Sequence, residues 1–226
     1  LEQIDEGVRE PSQVESLLKM PLLGITPMLS VEDVFEELQD VKSNYYDAYF
    51  SIRSSLAFAT SHGFPKSLTV TSTRPGEGKS SSAMALATVL GRTGKKVLLV
   101  DADLRSPSIH GFFNRSNEKG LSNFLAGSGD WQSLTQQTDT PNLSILSAGP
   151  IPPSAAELLS GDGLGALIAE SLEKFDHIII DAPPVLGMTD APLLAAAVEG
   201  VVYVVQSAGA AVRGINASTK RIRVAN

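Results

Sequence analysis

The sequence predicts an α/β fold, a parallel sheet with helices on both faces. Three observations carry that expectation. Five short runs rich in Val, Ile and Leu recur along the chain: "SLTVTST", "KKVLLVDAD", "LSILSAG", "HIIIDAPP" and "VVYVVQSA". Stretches of helical period lie between them, over 79–92, 164–174 and 190–198. The first run passes directly into a glycine-rich turn closed by Lys-Ser, "TRPGEGKSS". Continuous apolar strands alternating with helices require a sheet covered on both sides.

Residues 1–46 differ from the rest, with many charges, short apolar clusters and prolines at 11, 21 and 27. "PSQVESLLKM" predicts a short helix starting at Ser12, and "PLLGITP" an extended piece between prolines. "VEDVFEELQDVKS" reads either as a helix or as a loosely tethered stretch. This segment is expected to pack on a main domain over 47–226. From Asp47 to His62, the residues Ala48, Ile52, Leu56 and Ala59 recur at helical spacing, and Gly63 and Pro65 end the helix. "SAAE", Ser154 to Glu157, is a capping box opening a further short helix. Trp131 is expected to anchor a surface helix, and His110 and His177 to be structural.

The chain has 226 residues, enough for one sizeable core. A net charge of −7 argues against a nucleic-acid surface spread over the molecule. The absence of cysteine excludes a disulfide framework, cysteine-bound zinc and thiol catalysis, and suits a reducing compartment. "LEQIDEGVRE" is acidic and polar, unlike a signal peptide. The most membrane-like window, Leu193 to Val212, is split by Glu199-Gly200 and contains the β-branched "VVYVVQ". It reads as a helix end followed by a buried strand, not a membrane span.

In a parallel sheet, ligands bind at the carboxyl ends of the strands. Three strands here end in chemically loaded turns. The first ends in the turn Gly76, Glu77, Gly78, Lys79, Ser80 and Ser81, the candidate phosphate-binding set. Its glycines let backbone N–H groups face phosphate oxygens, and the following helix adds its positive dipole end. Lys79 can reach the β- and γ-phosphates, and the Ser80 hydroxyl can ligate Mg²⁺. The first glycine of G-x-x-x-x-G-K-[ST] is replaced by Thr73, with Pro75-Gly76 able to make the turn instead. The second strand ends in Asp101 and Asp103, with Arg105 close behind, and the third in Asp181. Each acid alone reads as well as a helix cap or a turn. Three such tips in one sheet favour phosphoryl chemistry on a nucleotide with Mg²⁺, in a P-loop NTPase-like fold. Arg213, after the last strand, lies where a nucleotide base would sit, or is a plain surface charge.

"PGEGKSS", "VLLVDADLR" and "HIIIDAPP" resemble the Walker A, A′ and B motifs of the bacterial tyrosine kinases of exopolysaccharide and capsule export. "RSPSIHGFF", "GLSNFLAG", "AGPIPPSAAELL" and "TDAPLLA" share the resemblance, and "REPSQVESLLKMPLLGITP" is similar to the family's juxtamembrane segment. The resemblance implies a cytoplasmic domain, tethered to the inner membrane through a transmembrane co-polymerase part. It would transfer the γ-phosphate of Mg·ATP to tyrosines of neighbouring copies in a ring. It would serve the polysaccharide export machinery and be opposed by a tyrosine phosphatase. By the same resemblance Lys79 and Ser80 bind phosphate and Mg²⁺, Asp103 and Asp181 hold the metal, and Asp101 orients or deprotonates the incoming tyrosine. Two features depart from the family. Its ring helix reads E-x-x-R-x-x-R, whereas "DAYFSIR" supplies Asp47, Phe50 and Arg53. Its C-terminal tyrosine cluster is not among the tyrosines here, which are Tyr45, Tyr46, Tyr49 and Tyr203. Two alternatives stand beside it. One is a partition or septum-placement ATPase, which carries K-G-G-x-G-K-[ST] where this chain has Arg74 and Pro75. The other is a nucleotide-regulated scaffold with little turnover.

Overall fold

The computed structural model describes residues 7–8, 10–207, 209 and 211–225. The opening residues 1–6 of the N-terminal segment and Ala208, at the end of the last expected strand, lie outside them. Ser12 begins a helical piece, as expected, which continues as a π-helical turn over Val14–Leu18. Residues 20–30 carry no regular structure, and α1 (Val31–Gln39) settles the next stretch as helix. Ser43 accepts a hydrogen bond from the Tyr46 amide and starts α2 (Asn44–Ala57) three residues before the expected Asp47. The helix also ends earlier than expected. Phe58 is 89% exposed, and the hydroxyl of Thr60 turns back to the Gly63 carbonyl, so Ala59 lies outside the helix.

The α/β alternation then follows as β1 (Ser67–Ser72), α3 (Lys79–Arg92), β2 (Val97–Asp101) and three short helices, α4 (Ile109–Phe112), α5 (Leu121–Leu125) and α6 (Trp131–Leu134). After β3 (Gln136–Gln137) and β4 (Leu143–Leu146) come α7 (Ala155–Leu159), α8 (Gly163–Ser171), β5 (His177–Asp181), α9 (Asp190–Ala196), β6 (Gly200–Val204) and α10 (Val212–Ala225). The sheet order is β3-β4-β2-β5-β1-β6. Five strands run parallel, as expected. The sixth, β3, is antiparallel to β4 and was not foreseen, nor was α10.

Helices cover both faces because neighbouring strand residues point to opposite sides. Leu99 and Ile179 pack with α2 and α3 on one face, while Leu98 and Ile178 pack with α7, α8 and α9 on the other. The buried run of α3 from Ser82 to Gly91 has the all-round apolarity of a helix enclosed between the sheet and α2. The N-terminal segment is fixed to this body. Val8 and Leu18 pack against Ile215 of α10, and Gly7 bridges Ala211. Arg223 donates to the carbonyls of Leu18 and Lys19 at 3.0 and 2.9 Å. Among the described residues no helix is long and apolar enough to cross a membrane.

Candidate active site

The carboxyl ends of β1, β2 and β5 meet on one edge because β5 pairs with both of the others. Between β1 and α3 the chain makes the phosphate loop. Gly76 (φ 82°) and Gly78 (φ 89°) both occupy the left-handed region, where a side chain would be strained. Glu77 is buried, and its carboxylate accepts the Arg74 amide at 2.8 Å. Burial pushes its carboxyl up, opposed by the amides of Arg74 and Thr73. Its side chain therefore shapes the loop from inside. Thr73 is tied to Tyr203, hydroxyl to hydroxyl at 3.0 Å. The amides of Val185 and Leu186 donate to the carbonyls of Ser72 and Thr73, joining the loop to the stretch after β5.

Lys79 is the hub. Its ammonium lies 2.8 Å from Asp103 Oδ2, 3.4 Å from Asp181 Oδ1 and 3.0 Å from Ser80 Oγ. The Ser80 hydroxyl in turn donates to Asp181 Oδ2 at 2.6 Å. Burial pulls the ammonium's pKa down, and the charges of Asp181 and Asp103 more than offset it. Asp181 has no solvent contact; burial pushes it up to about 6, against the pull of Lys79 and Ser80. Asp101 is also fully buried. Its Oδ2 accepts the amides of Ser108 and Ile109 at 2.9 and 3.0 Å, and its Oδ1 the amide of Asp103 at 3.2 Å. Burial and the charge of Asp181 push Asp101 up to about 7, while those amides hold it back. It both opens α4 and stands beside the other acids.

The donor set suits a small hard cation. Ser80 Oγ, Asp103 Oδ2 and Asp181 already converge on one positive centre, the Lys79 ammonium. One hydroxyl and two carboxylates are donors of the kind that Mg²⁺ takes, since it is usually held by one or two carboxylates together with substrate phosphates.

Ser81 lies half-buried in the first turn of α3, and Arg213 is exposed in the first turn of α10. Next to Arg213, Gly214 faces the Thr73 methyl, which a Cβ at that position would meet at 3.8 Å. Arg213 thus stands at the loop's flank. The structure does not bring Asp47, Phe50 and Arg53 to this site; they share a face of α2, with the Arg53 guanidinium 5.4 Å above the Phe50 ring. His177 is structural, its Nδ1 3.0 Å from the Pro65 carbonyl, and Trp131 anchors α6 by donating to Glu170 at 2.9 Å. Two contacts escaped the sequence: Tyr203 on Thr73, and Asp190 on Arg105. A cavity of about 440 Å³ lies away from the loop between α9 and α10, lined by Thr189, Pro192, Ala217, Lys220, Arg221 and Val224.

This fold and site define a P-loop nucleotide-binding enzyme. Residues 65–226 match the family described as AAA domain. Tyrosine-protein kinase YwqD of Bacillus subtilis (strain 168) is 39% identical over 170 residues, 75% of this chain and 72% of that protein. Tyrosine-protein kinase ptk of Acinetobacter johnsonii is 33% identical over 81% of this chain, which corresponds to 27% of its own length. The kinase domain of the Escherichia coli tyrosine kinase ETK superposes with a TM-score of 0.91 at 27% identity, covering 97% of this chain and 91% of that one. The chain belongs to the bacterial tyrosine kinases, within the AAA-domain family.

Proposed function

We infer that this chain is an ATP-dependent tyrosine autokinase, transferring the γ-phosphoryl group of Mg·ATP to tyrosines on neighbouring copies. The observation that carries it is the convergence of Lys79, Ser80, Asp103 and Asp181 at one point, with Asp101 on the same edge. Bound Mg²⁺, held by Ser80, Asp103 and Asp181, would supply neutralising charge to the phosphate oxygens. Gly76, Glu77, Gly78, Ser80 and Ser81 would present the loop's amides, with Arg213 beside the base. Lys79 would leave Asp103 and Asp181 and follow the γ-phosphoryl group. As the tyrosine oxygen bonds to the γ-phosphorus, the bond to the β–γ bridging oxygen breaks and ADP leaves with that electron pair. The tyrosine proton passes to Asp101, whose raised pKa suits a base at neutral pH.

The sequence's resemblance to the export kinases supports a wider role. We propose that the domain lies in the cytoplasm, tethered to the inner membrane by a co-polymerase part. There it would cycle with a phosphatase to regulate polysaccharide export through a ring of copies. The 1–46 segment would then connect tether to kinase. Arg74 is exposed where partition-type ATPases carry their signature lysine, which leaves that alternative without its key residue.

A random Glu/Tyr copolymer with Mg·ATP tests the activity. Phosphotyrosine formed in step with ADP supports it; ADP without phosphotyrosine indicates an ATPase switch, and neither indicates a scaffold. Asp101→Asn should slow transfer while ADP still binds in calorimetry. Abolished ADP binding in that variant would remove Asp101 from the role of base.

A further inference from the structure

We infer that Arg105 and Asp190 form a clamp that sets the spacing between Asp103 and Asp181, making Arg105 a positioning residue for the divalent cation. This rests on the assignment of Asp103 and Asp181 as metal-holding acids. Arg105 Nε donates to Asp190 Oδ2 at 2.7 Å and Nη2 to Oδ1 at 3.2 Å. Two parallel bonds from a planar fork fix orientation as well as distance, which a lysine ammonium does not do. The Asp190 side chain is 1% exposed and that of Arg105 44%, so the carboxylate is enclosed and the guanidinium closes over it.

The two partners belong to the two stretches that carry the acids. Arg105 follows Asp103 by two residues, in a turn where Ser106 donates to Asp103 Oδ1 at 3.1 Å. Asp190 opens α9, at the end of the stretch that begins with Asp181. That second stretch is already tied to β1, through Ala182 on Val70, Thr71 on Pro183 and Val185 on Ser72. The Asp103 turn is tied less. Its main-chain link to β5 ends with the Ala102 amide on the Asp181 carbonyl. Beyond it the turn is held to β2 by the Asp101 carboxylate, which accepts the amides of Asp103, Ser108 and Ile109, and by the buried Leu104, while Lys79 and Arg105 tie it toward the Asp181 stretch. When Lys79 turns to a phosphate, Arg105 on Asp190 still joins this turn to the stretch after Asp181 by a two-bond polar tie. Mg²⁺ demands near-ideal octahedral geometry, so a small drift of one carboxylate is costly. Partners that orient metal ligands commonly change metal affinity or activity by about 10–100-fold when removed.

The test compares wild type, Arg105→Lys and the double variant Arg105→Met/Asp190→Asn. The double variant leaves no unpaired buried charge and is the one expected to fold normally. Fluorescent ADP measures nucleotide affinity without metal, and paramagnetic resonance measures Mn²⁺ binding to the ADP complex. Metal-free ADP affinity should stay within about twofold, while Mn²⁺ affinity falls about 10–100-fold in the double variant and by less in Arg105→Lys. Unchanged Mn²⁺ affinity in a double variant with a wild-type circular dichroism spectrum overturns the clamp. An equal loss of metal-free ADP binding overturns it too, since that marks a general structural role. A wild-type protein that binds ADP but no Mn²⁺ would sink the metal assignment, and the clamp with it.

Discussion

The hydroxyls of Thr73 and Tyr203 lie 3.0 Å apart, tying the first residue of the phosphate loop to the edge strand β6. Glycine is the usual residue at that position in this kind of loop. Thr73 is buried, and its carbonyl accepts the Leu186 amide at 3.1 Å. Main chain and side chain are thus both held, and the position has no left-handed φ that would demand glycine. Tyr203→Phe keeps the ring and removes the bond. A neutral hydrogen bond of this kind contributes about 0.5–1.5 kcal/mol to stability, so the melting temperature should fall by a few degrees, and ATP affinity by up to about 10-fold as the loop loosens. Calorimetry that finds wild-type affinity would mean Glu77 and the backbone bonds hold the loop without Tyr203.

Lys79→Met should act in two ways. Transfer should fall by ~10²-fold or more, because a charge aimed at the transferring phosphoryl is lost. The sequence marks Lys79 as a ligand-facing charge, able to reach the β- and γ-phosphates. In the structure it is an internal counter-charge, with 9% of its side chain exposed. Removing one partner of a buried ion pair typically costs about 3–5 kcal/mol, so the nucleotide-free variant should be less stable in urea. An undiminished midpoint would show that Asp103 and Asp181 do not need Lys79 as their cation.

His177 supplies a pH dependence outside the site. Burial lowers its pKa, partly offset by the Pro65 carbonyl that its Nδ1 approaches. In the unfolded chain it takes up a proton below about pH 6.5. The folded protein takes it up only at lower pH, so the unfolded state binds more protons in that window. Stability contributed by neutral His177 is complete above about pH 6.5 and declines as pH falls below it. Urea midpoints from pH 7.5 to 5 should fall, and His177→Gln should flatten part of that slope. An identical slope in the variant would assign the dependence to other groups.

The fold was legible where burial on both faces leaves continuous Val, Ile and Leu, as in "VLLVD" and "HIIID". The loop was legible because its chemistry is local: two glycines, a lysine and a serine in sequence. β3 was not, because Gln136 and Gln137 form a strand only by pairing with β4. α10 was missed for a different reason. Its buried face is Ile215, Ser218, Thr219 and Ile222, half polar, so no apolar stripe stands out. Arg105 and Asp190 are 85 residues apart, and no spacing rule in one sequence pairs them. The three acids were found as strand tips, but their tie to Lys79 comes only from the sheet order β2-β5-β1.

Association should run through α2, although its chemistry differs from the family's ring helix. Asp47 and Phe50 are exposed and Arg53 is half-buried. Phe50 stacks on Tyr46 at 6.5 Å and 22°, and Arg92 lies 5.5 Å over the Tyr46 ring. With Arg53 over Phe50, cations and rings alternate along this face, so Phe50 is the seat that steadies Arg53. Exposed ion pairs contribute only about 0–1 kcal/mol each, so the loss of one arginine need not abolish a ring of many copies. Light scattering over a concentration series should show an oligomer weakened by salt through Arg53 and sustained by the Phe50 ring. Phe50→Glu should shift it toward monomer more than Arg53→Glu, since the first removes both the ring and the seat. If neither variant shifts it, α2 is only a packing element and the assembly surface lies elsewhere. The same helix bears on acceptors. Tyr45, Tyr46 and Tyr49 are buried, and the Tyr49 hydroxyl lies 2.7 Å from Ser82 Oγ. Tyr203 is half-buried with its hydroxyl on Thr73. Mass spectrometry after incubation with Mg·ATP should therefore find little phosphate on this chain alone. Stoichiometric phosphate on Tyr45, Tyr46 or Tyr49 would mean that α2 opens during the reaction, and would overturn this account of the helix.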